Sequence, residues 1–483
     1  MRRALAALLA LGGCTVGPNF EKPRADAPAS FAGQPQDVAS RTYGGNVDAR
    51  WWTSFRDPEL ASLVDRLAAQ NLDLQSAAER IEQARAERRI VGAQGLPNIS
   101  GRANYTRQRP SENGFVSLVE PAPGAPLEYS QYMVQAQASW ELDLFGRVRR
   151  QVEAAQADTQ AAIEDRRALA LSAIAELAQT YMQLRLAQAQ EQVLRRDVAA
   201  SQARSRLVRD RFREGAASDL EVAQADAQLS QISQDLPGIV TQQARLANAL
   251  ALLLAQQPRT LEAELAARPG VQPLVPPVVP VGLPSDLVRR RPDIREAEAR
   301  LHAATADTGV AVADFFPRVS LSGVAGFDSL HAGTLFDWMS RMFMVGPTLS
   351  LPIFQGGRLT GNLQLRRSEQ REAAIAYRKA VLAALHDVDN ALTAYAQAQR
   401  ARADADATNR ANQRTLKLAQ DRFGQGATDY LDVVQAQSAL YASENAVVQA
   451  NARIETSLVQ LYKALGGGWE AVPEPTSARP LAR

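Results

Sequence analysis

The chain has 483 residues and a formal net charge of only +2, from 54 Lys and Arg against 52 Asp and Glu. Its arginines alternate with Glu, Asp and Gln along helical patterns, as solvated faces do, which removes the electrostatic case for nucleic-acid binding. Long stretches without Gly or Pro point away from two or three compact domains and toward an elongated, mainly helical molecule.

The chain opens on MRRALAALLALGGC: two basic residues, Arg2 and Arg3, an apolar run over residues 4–11, then Gly12-Gly13 before a cysteine. This is a signal segment, too short to span a bilayer as an ordinary helix. Cys14 is the only cysteine, so it has no partner for an internal disulfide. Leu11-Gly12-Gly13-Cys14 resembles a bacterial lipobox, which makes residues 1–13 a lipoprotein signal peptide and Cys14 the lipidated first residue of the mature chain. Thr15 is not the aspartate that retains similar lipoproteins in the inner membrane, so the outer membrane is favoured. Beyond the signal no apolar run approaches about 18 residues, and a membrane crossing must therefore use strands.

Residues 59–91 carry apolar side chains at helical spacing, Leu60, Leu63, Val64 and Leu67, then Leu74, Ala77, Ala78 and Ile81, and Pro97 ends the element. A weakly alternating strand is expected over 98–109, followed by a long exposed loop. From 132 to 144 the period becomes two, with Val134, Ala136, Ala138, Trp140, Leu142 and Leu144 on one side and Gln135, Gln137, Ser139, Glu141 and Asp143 on the other. Such a ladder fits a strand with lipid outside and water inside. Gly146 closes it, and 147–214 then runs without Gly or Pro, a helix roughly 100 Å long if continuous. Its stripe of Ala and Leu suits coiled-coil packing. A returning helix over 219–236 breaks at Pro237-Gly238 and resumes over 239–257. The prolines of 269–284 predict an extended connector.

The programme then restarts. A helix over 293–308, Pro317, an alternating strand in RVSLSGVAGF, a second in FMVGPTLSLPIF, Gly356-Gly357 in the place of Gly146, a helix over 362–423 and a last helix over 427–465 follow in that order. Gly466-Gly467-Gly468 and a Pro-rich tail end the chain. DRFREGAASDLEVAQAD (210–226) returns as DRFGQGATDYLDVVQAQ (421–437), so a whole module of helix, two strands, long helix, turn and helix is duplicated.

An open sheet leaves edge NH and CO groups unpaired in lipid at several kcal/mol each, and four strands are too few to close a barrel, since about eight is the smallest seen. The strands must be pooled between chains in an obligate oligomer. Tyr129, Tyr132, Trp140, Phe336, Trp338 and Phe343 lie near strand ends, as interfacial aromatics do; Phe327 reads as ordinary packing. The long helices project together away from the strands, and a barrel continued by paired helices makes a tube.

CTVGPNFEKP, the stretch WWTSFRDPELASLVDRLAAQNLDLQSAAERIEQARA (51–86), LVRRRPDIREAEARLHAATADTGVAVADFFPRVSLSG (287–323), LPIFQGGR (351–358) and both turns resemble the TolC-like outer-membrane factors, the outer-membrane efflux proteins, in their lipid-anchored OprM/NodT-type branch. The resemblance implies a mainly α fold with a membrane β-barrel, a homotrimer of about twelve strands and a periplasmic α-helical barrel. It divides the chain into an N-terminal segment of an equatorial belt (14–57), a first repeat (58–268), an equatorial connector (269–284), a second repeat (285–465) and an equatorial tail (466–483). It implies an efflux channel working with a periplasmic adaptor and an inner-membrane RND-type pump, with no enzymatic activity, cofactor or metal. Gly215, Ala216, Ala217 and Ser218, with Gly426, Ala427, Thr428 and Asp429, become adaptor-docking tips, two per chain and pseudo-six-fold in a trimer. A periplasmic gate is implied just before the second turn, with Asp421 in a constriction ring, Leu418 in an apolar layer and Arg422 linking to the neighbouring helix pair. Asp210 and Arg211 copy that pair in the first repeat.

Other classes fare worse on the residues. His302, His331 and His386 are scattered without carboxylate or cysteine at ligand spacing, and read as surface or packing residues. RRRPDIREAE reads as a solvated helix start with Pro292 in the first turn and Asp293 near the N-terminus. LFGR and FQGGR are strand-to-helix junctions with no phosphate-loop lysine. A non-channel coiled-coil scaffold lipoprotein leaves the alternating strands unexplained, whereas type I protein secretion remains an alternative use of the same channel.

Overall fold

The structure is a computed structural model that describes residues 15–24, 28, 30–31, 38–111, 128–273, 275–276 and 278–474. The expected signal segment, Cys14, most of the expected loop after residue 109 and the end of the tail lie outside the described residues. The first half of the chain runs β1 (Arg41–Tyr43), α1 (Pro58–Gln70), α2 (Leu72–Ala93), β2 (Asn98–Gln108), β3 (Tyr129–Leu142), α3 (Arg147–Arg213), α4 (Asp219–Ser233), α5 (Leu236–Leu253) and α6 (Glu262–Ala266). The second runs β4 (Val278–Pro280), α7 (Pro284–Arg290), α8 (Pro292–Ala313), β5 (Arg318–Ser329), β6 (Arg341–Ser350), α9 (Arg358–Gly424) and α10 (Tyr430–Ala464). The long helices α3 and α9 have 67 residues each, with bounds close to those read from the Gly and Pro positions.

The chain divides into two compact units. One comprises residues 1–23, 82–161 and 298–376. It holds a four-stranded antiparallel sheet in the order β2-β3-β5-β6. Directly opposed residues share a face, so the register decides whether the strands agree on what is apolar. They do. Val134 lies between Ala103 and Phe327, Trp140 opposite Leu321, Ala138 between Ile99 and Gly323, and Leu349 opposite Val319. The other face is mainly polar, collecting Ser100, Arg102, Gln135, Gln137, Ser139, Ser320, Ser322 and Thr348 beside Met133, Val324, Met342 and Met344, with Gln131 Nε2 donating to the Asp328 carboxylate at 3.0 Å. The weak alternation of β2 thus takes its meaning from its neighbour.

In the same unit the segment after Cys14 is strapped down. Val16 N donates to Phe145 O (3.1 Å), Arg150 Nη2 donates to Asn19 Oδ1 (2.6 Å) and Lys22 pairs with Glu298 (2.8 Å). Gly17, at φ +90°, lies so close to Gly309 that an added Cβ would sit 2.5 Å from its Cα, which excludes any side chain. Phe20 stacks on the His302 ring at 4.4 Å, and His302 Nε2 lies 2.9 Å from Glu153 Oε1. His302 therefore has the carboxylate partner that spacing along the chain did not reveal, because Glu153 comes from another helix.

The other unit comprises residues 24–81, 162–297 and 377–483. Its core gathers Trp51, Trp52, Phe55, Leu60, Leu63, Leu67, Leu177, Tyr181, Tyr395 and Tyr462, all almost fully buried. Trp51 stacks on Tyr462 (5.0 Å) and donates Nε1 to Gly467 O (3.0 Å). Three differences from the sequence reading have identifiable causes. The single helix expected over 59–91 is two, because Asn71 adopts φ −60°, ψ 126° and ends α1; its Oδ1 then accepts from Leu74 N (3.0 Å) while its Nδ2 donates to Leu253 O (2.9 Å). The proline connector contains β4, which pairs in parallel with β1. Arg291 is buried rather than solvated, held by Asp293 (2.8 Å), Asp387 (3.0 Å) and Ala464 O (3.1 Å).

Candidate functional site: the paired hairpin tips

Both long helices end in the same turn. Gly215 N donates to Phe212 O (3.0 Å) and Ala216 N to Arg211 O (2.7 Å); Gly426 N donates to Phe423 O (3.0 Å) and Ala427 N to Arg422 O (2.9 Å). Gly215 and Gly426 sit at φ +74° and +73° in open space, so glycine is required by the left-handed backbone and not by crowding. The returning helices start differently. Ser218 caps α4 in a capping box, its hydroxyl accepting from Glu221 N (3.3 Å) and its own N–H donating to Glu221 Oε2 (2.6 Å). Asp429 makes no side-chain cap bond on α10; instead the Thr428 hydroxyl bonds the Asp432 carboxylate.

The two tips of one chain pack side by side. Val208, Ala225, Leu416, Tyr430, Val433 and Ala436 form a small buried cluster there, separate from the main core. Above it runs a polar seam: Gln437 Nε2 donates to Asp197 Oδ1 (2.7 Å) and Ser201 Oγ (2.9 Å), and Gln228 Nε2 donates to Ser438 Oγ (3.0 Å). Burial raises the Asp197 carboxyl above its ordinary range and pushes the Arg204 guanidinium down.

The predicted docking residues Gly215, Ala216, Ser218, Gly426, Ala427 and Asp429 are exposed, and Ala217 and Thr428 are half-buried. The gate candidates divide. Arg211 lies over the Phe423 ring at 4.9 Å, joining the first repeat to the second, while Asp210 is tied to Arg213 in its own helix. Leu418, Asp421 and Arg422 are exposed, and among the described residues neither Asp421 nor Arg422 has an ion-pair partner. Tyr430, Gln437 and Asp197, which with Phe423 knit the tips together, carry no signal of their own in the sequence. The recurrence of Phe212 as Phe423 within the repeated DRF was the available signal. Among the described residues no group of three or more His, Cys, Asp or Glu is placed to hold a metal, and no helix is long and apolar enough to cross a membrane.

A duplicated module of two strands and a long helical hairpin, with one face of its four-stranded sheet apolar, is the architecture of a TolC-type outer-membrane channel. The family model for outer membrane efflux proteins matches the chain twice, over 63–256 and 283–467, and the chain belongs to that family. It is 34% identical to the outer membrane protein OprJ of Pseudomonas aeruginosa, over 97% of this chain and 95% of that one. It is also 34% identical to the toluene efflux pump outer membrane protein TtgF of Pseudomonas putida, over 99% and 98%. The solved outer-membrane channel OprN superposes with a TM-score of 0.87 at 33% identity, over 95% of this chain and all of that one. The protein is an outer-membrane channel of an efflux pump, not an enzyme.

Proposed function

We propose that the chain works as a homotrimer, anchored by lipid at Cys14, whose pooled strands form one barrel and whose hairpins extend into the periplasm to meet an adaptor and an RND-type inner-membrane pump. The observation that carries this reading is the sheet: four strands agree on a single apolar face, yet β2 and β6 each keep one edge unpaired. Open edges are untenable in lipid, and copies of the chain that join β6 to β2 remove them. The pairing of β1 with β4 and the bond from Trp51 to Gly467 support treating 14–57, 269–284 and 466–483 as one equatorial belt. The small exposed residues Gly215, Ala216, Gly426 and Ala427 leave the backbone of both tips open to a helical hairpin of the adaptor.

Three chains per particle in the mass of the detergent-extracted complex, acyl mass on the N-terminal Cys14, and hypersensitivity of a deletion strain to a drug and solvent panel are the expected results. A monomeric particle or a free Cys14 thiol would refute the corresponding part. Loss of an exported protein with unchanged drug sensitivity would assign the channel to type I secretion instead. Bulky substitution of Ala216 together with Ala427 should abolish efflux and leave trimers intact; unimpaired efflux would refute docking at the tips.

A further inference from the structure

Arg211 and Phe423 belong to the two copies of one motif, and their contact has a direction: the arginine of the first copy lies over the phenylalanine of the second, at 4.9 Å. The equivalent of Arg211 is Arg422, and the equivalent of Phe423 is Phe212. That second pair is not made within the chain. Phe212 is 44% exposed and Arg422 is exposed, whereas Arg211 and Phe423 are both half-buried. Two sites built from the same residues, one filled and one empty, are what a head-to-tail array of repeats leaves at its two ends.

We propose that Arg422 of one chain lies over the Phe212 ring of the next copy, repeating between chains the contact that Arg211 makes with Phe423 within a chain. This rests on the oligomer proposed above and names the residues by which neighbouring tips recognise each other. The seam above the tips has the matching chemistry. Within a chain the Gln437 amide donates to Asp197 and Ser201. Their equivalents are Asp226 for Gln437, with Thr408 and Asn412 for Asp197 and Ser201. Acceptor and donor have exchanged sides: the Thr408 hydroxyl is already donated to Asp404 O, but Asn412 Nδ2 spends only one of its two N–H groups, on Ala439 O, and the other suits a carboxylate of the next copy. The Asp226 carboxylate is already oriented by Arg209 Nη2 (2.8 Å) and Ser205 Oγ (2.8 Å) in its own chain. A guanidinium over an aromatic face is a weak contact where water reaches it, so one such contact per junction biases an interface without locking it.

The test is proximity crosslinking of the full-length protein in its membrane. Arg422→Cys and Phe212→Cys are placed in one chain and treated with a short bismaleimide, with the parent chain controlling for Cys14. A ladder of covalent dimers and trimers on a denaturing gel is expected, with each single-cysteine variant remaining monomeric. Arg211→Cys with Phe423→Cys should crosslink within one chain and run as monomer. Absence of the ladder from particles whose native mass is three chains overturns the contact and leaves the trimer standing. A native mass of one chain overturns both.

Discussion

Glu59, near the start of α1, is the carboxyl whose environment departs most usefully from water. Burial, then the neighbouring Glu264 carboxyl, raise it from its ordinary value of 4.5 to about 7, against the opposing pull of Arg66 and Arg185. Glu59, Glu264 and Arg185 border a cavity of about 410 Å³ with Asp57 and Arg268. A carboxyl raised in the fold binds its proton more tightly there than in the unfolded chain. Its stabilising contribution is therefore complete below pH 4.5 and is lost as pH climbs through about 7. Glu59→Gln, which cannot ionise, should flatten the fall in melting temperature over that interval, measured by thermal unfolding of the detergent-solubilised protein at a series of pH values. A pH profile unchanged from the parent would show that Glu59 does not titrate there. Glu455 is a second buried carboxyl, pushed well above its ordinary range by burial and by Asp57. It retains one oxygen without a hydrogen-bond partner.

Among the elements, the break between α1 and α2 hangs on one side chain. Asn71 serves both helices and reaches Leu253 O at the end of α5. Asn71→Ala removes a cap and leaves a carbonyl short of a donor, at a cost of about 2 kcal/mol. The loss should appear as a lower unfolding midpoint with assembly intact. The strands give a sharper test. Val134→Arg or Leu349→Arg puts a charge on the face shared by all four strands, expected to cost about 2–4 kcal/mol near the bilayer midplane. Normal insertion and assembly of both variants would contradict a lipid-facing assignment. Helices and strands were legible because their signals are local: the run without Gly or Pro before Gly215, the period-two ladder around Trp140, the glycine pair at 356–357. What stayed hidden depends on partners far away in sequence. Asn71 lies in an unbroken helical pattern, and besides its cap bond from Leu74 N it donates its amide to Leu253 O, a partner the local sequence does not announce. β1 and β4 have three residues each and become strands only by meeting. The repeated DRF announced two tips, but nothing local announced that Arg211 would cross to Phe423.

For the whole molecule, an even strand count per chain has a directional effect. With every neighbour antiparallel in the order β2-β3-β5-β6, the outer strands run in opposite directions. Rotating one copy onto the next therefore joins β6 to β2 antiparallel at each junction, as within the chain. A gate formed by the exposed charges of the second repeat is a proposal with its own test. Removing Asp421 and Arg422 together should raise single-channel conductance in planar bilayers and admit large antibiotics to the cell, if these residues hold the tube shut. Parental conductance in assembled trimers would tell against a gate there. Trp51, finally, meets Tyr462 and Gly467 only when almost the whole chain has been made. Without residues 462 and 467 the Trp51 ring lacks both the aromatic face it stacks on and the carbonyl that accepts its indole N–H, so the N-terminal helices cannot complete this core by themselves. A chain cut short before Tyr462 is therefore damaged in its centre, not merely at its end.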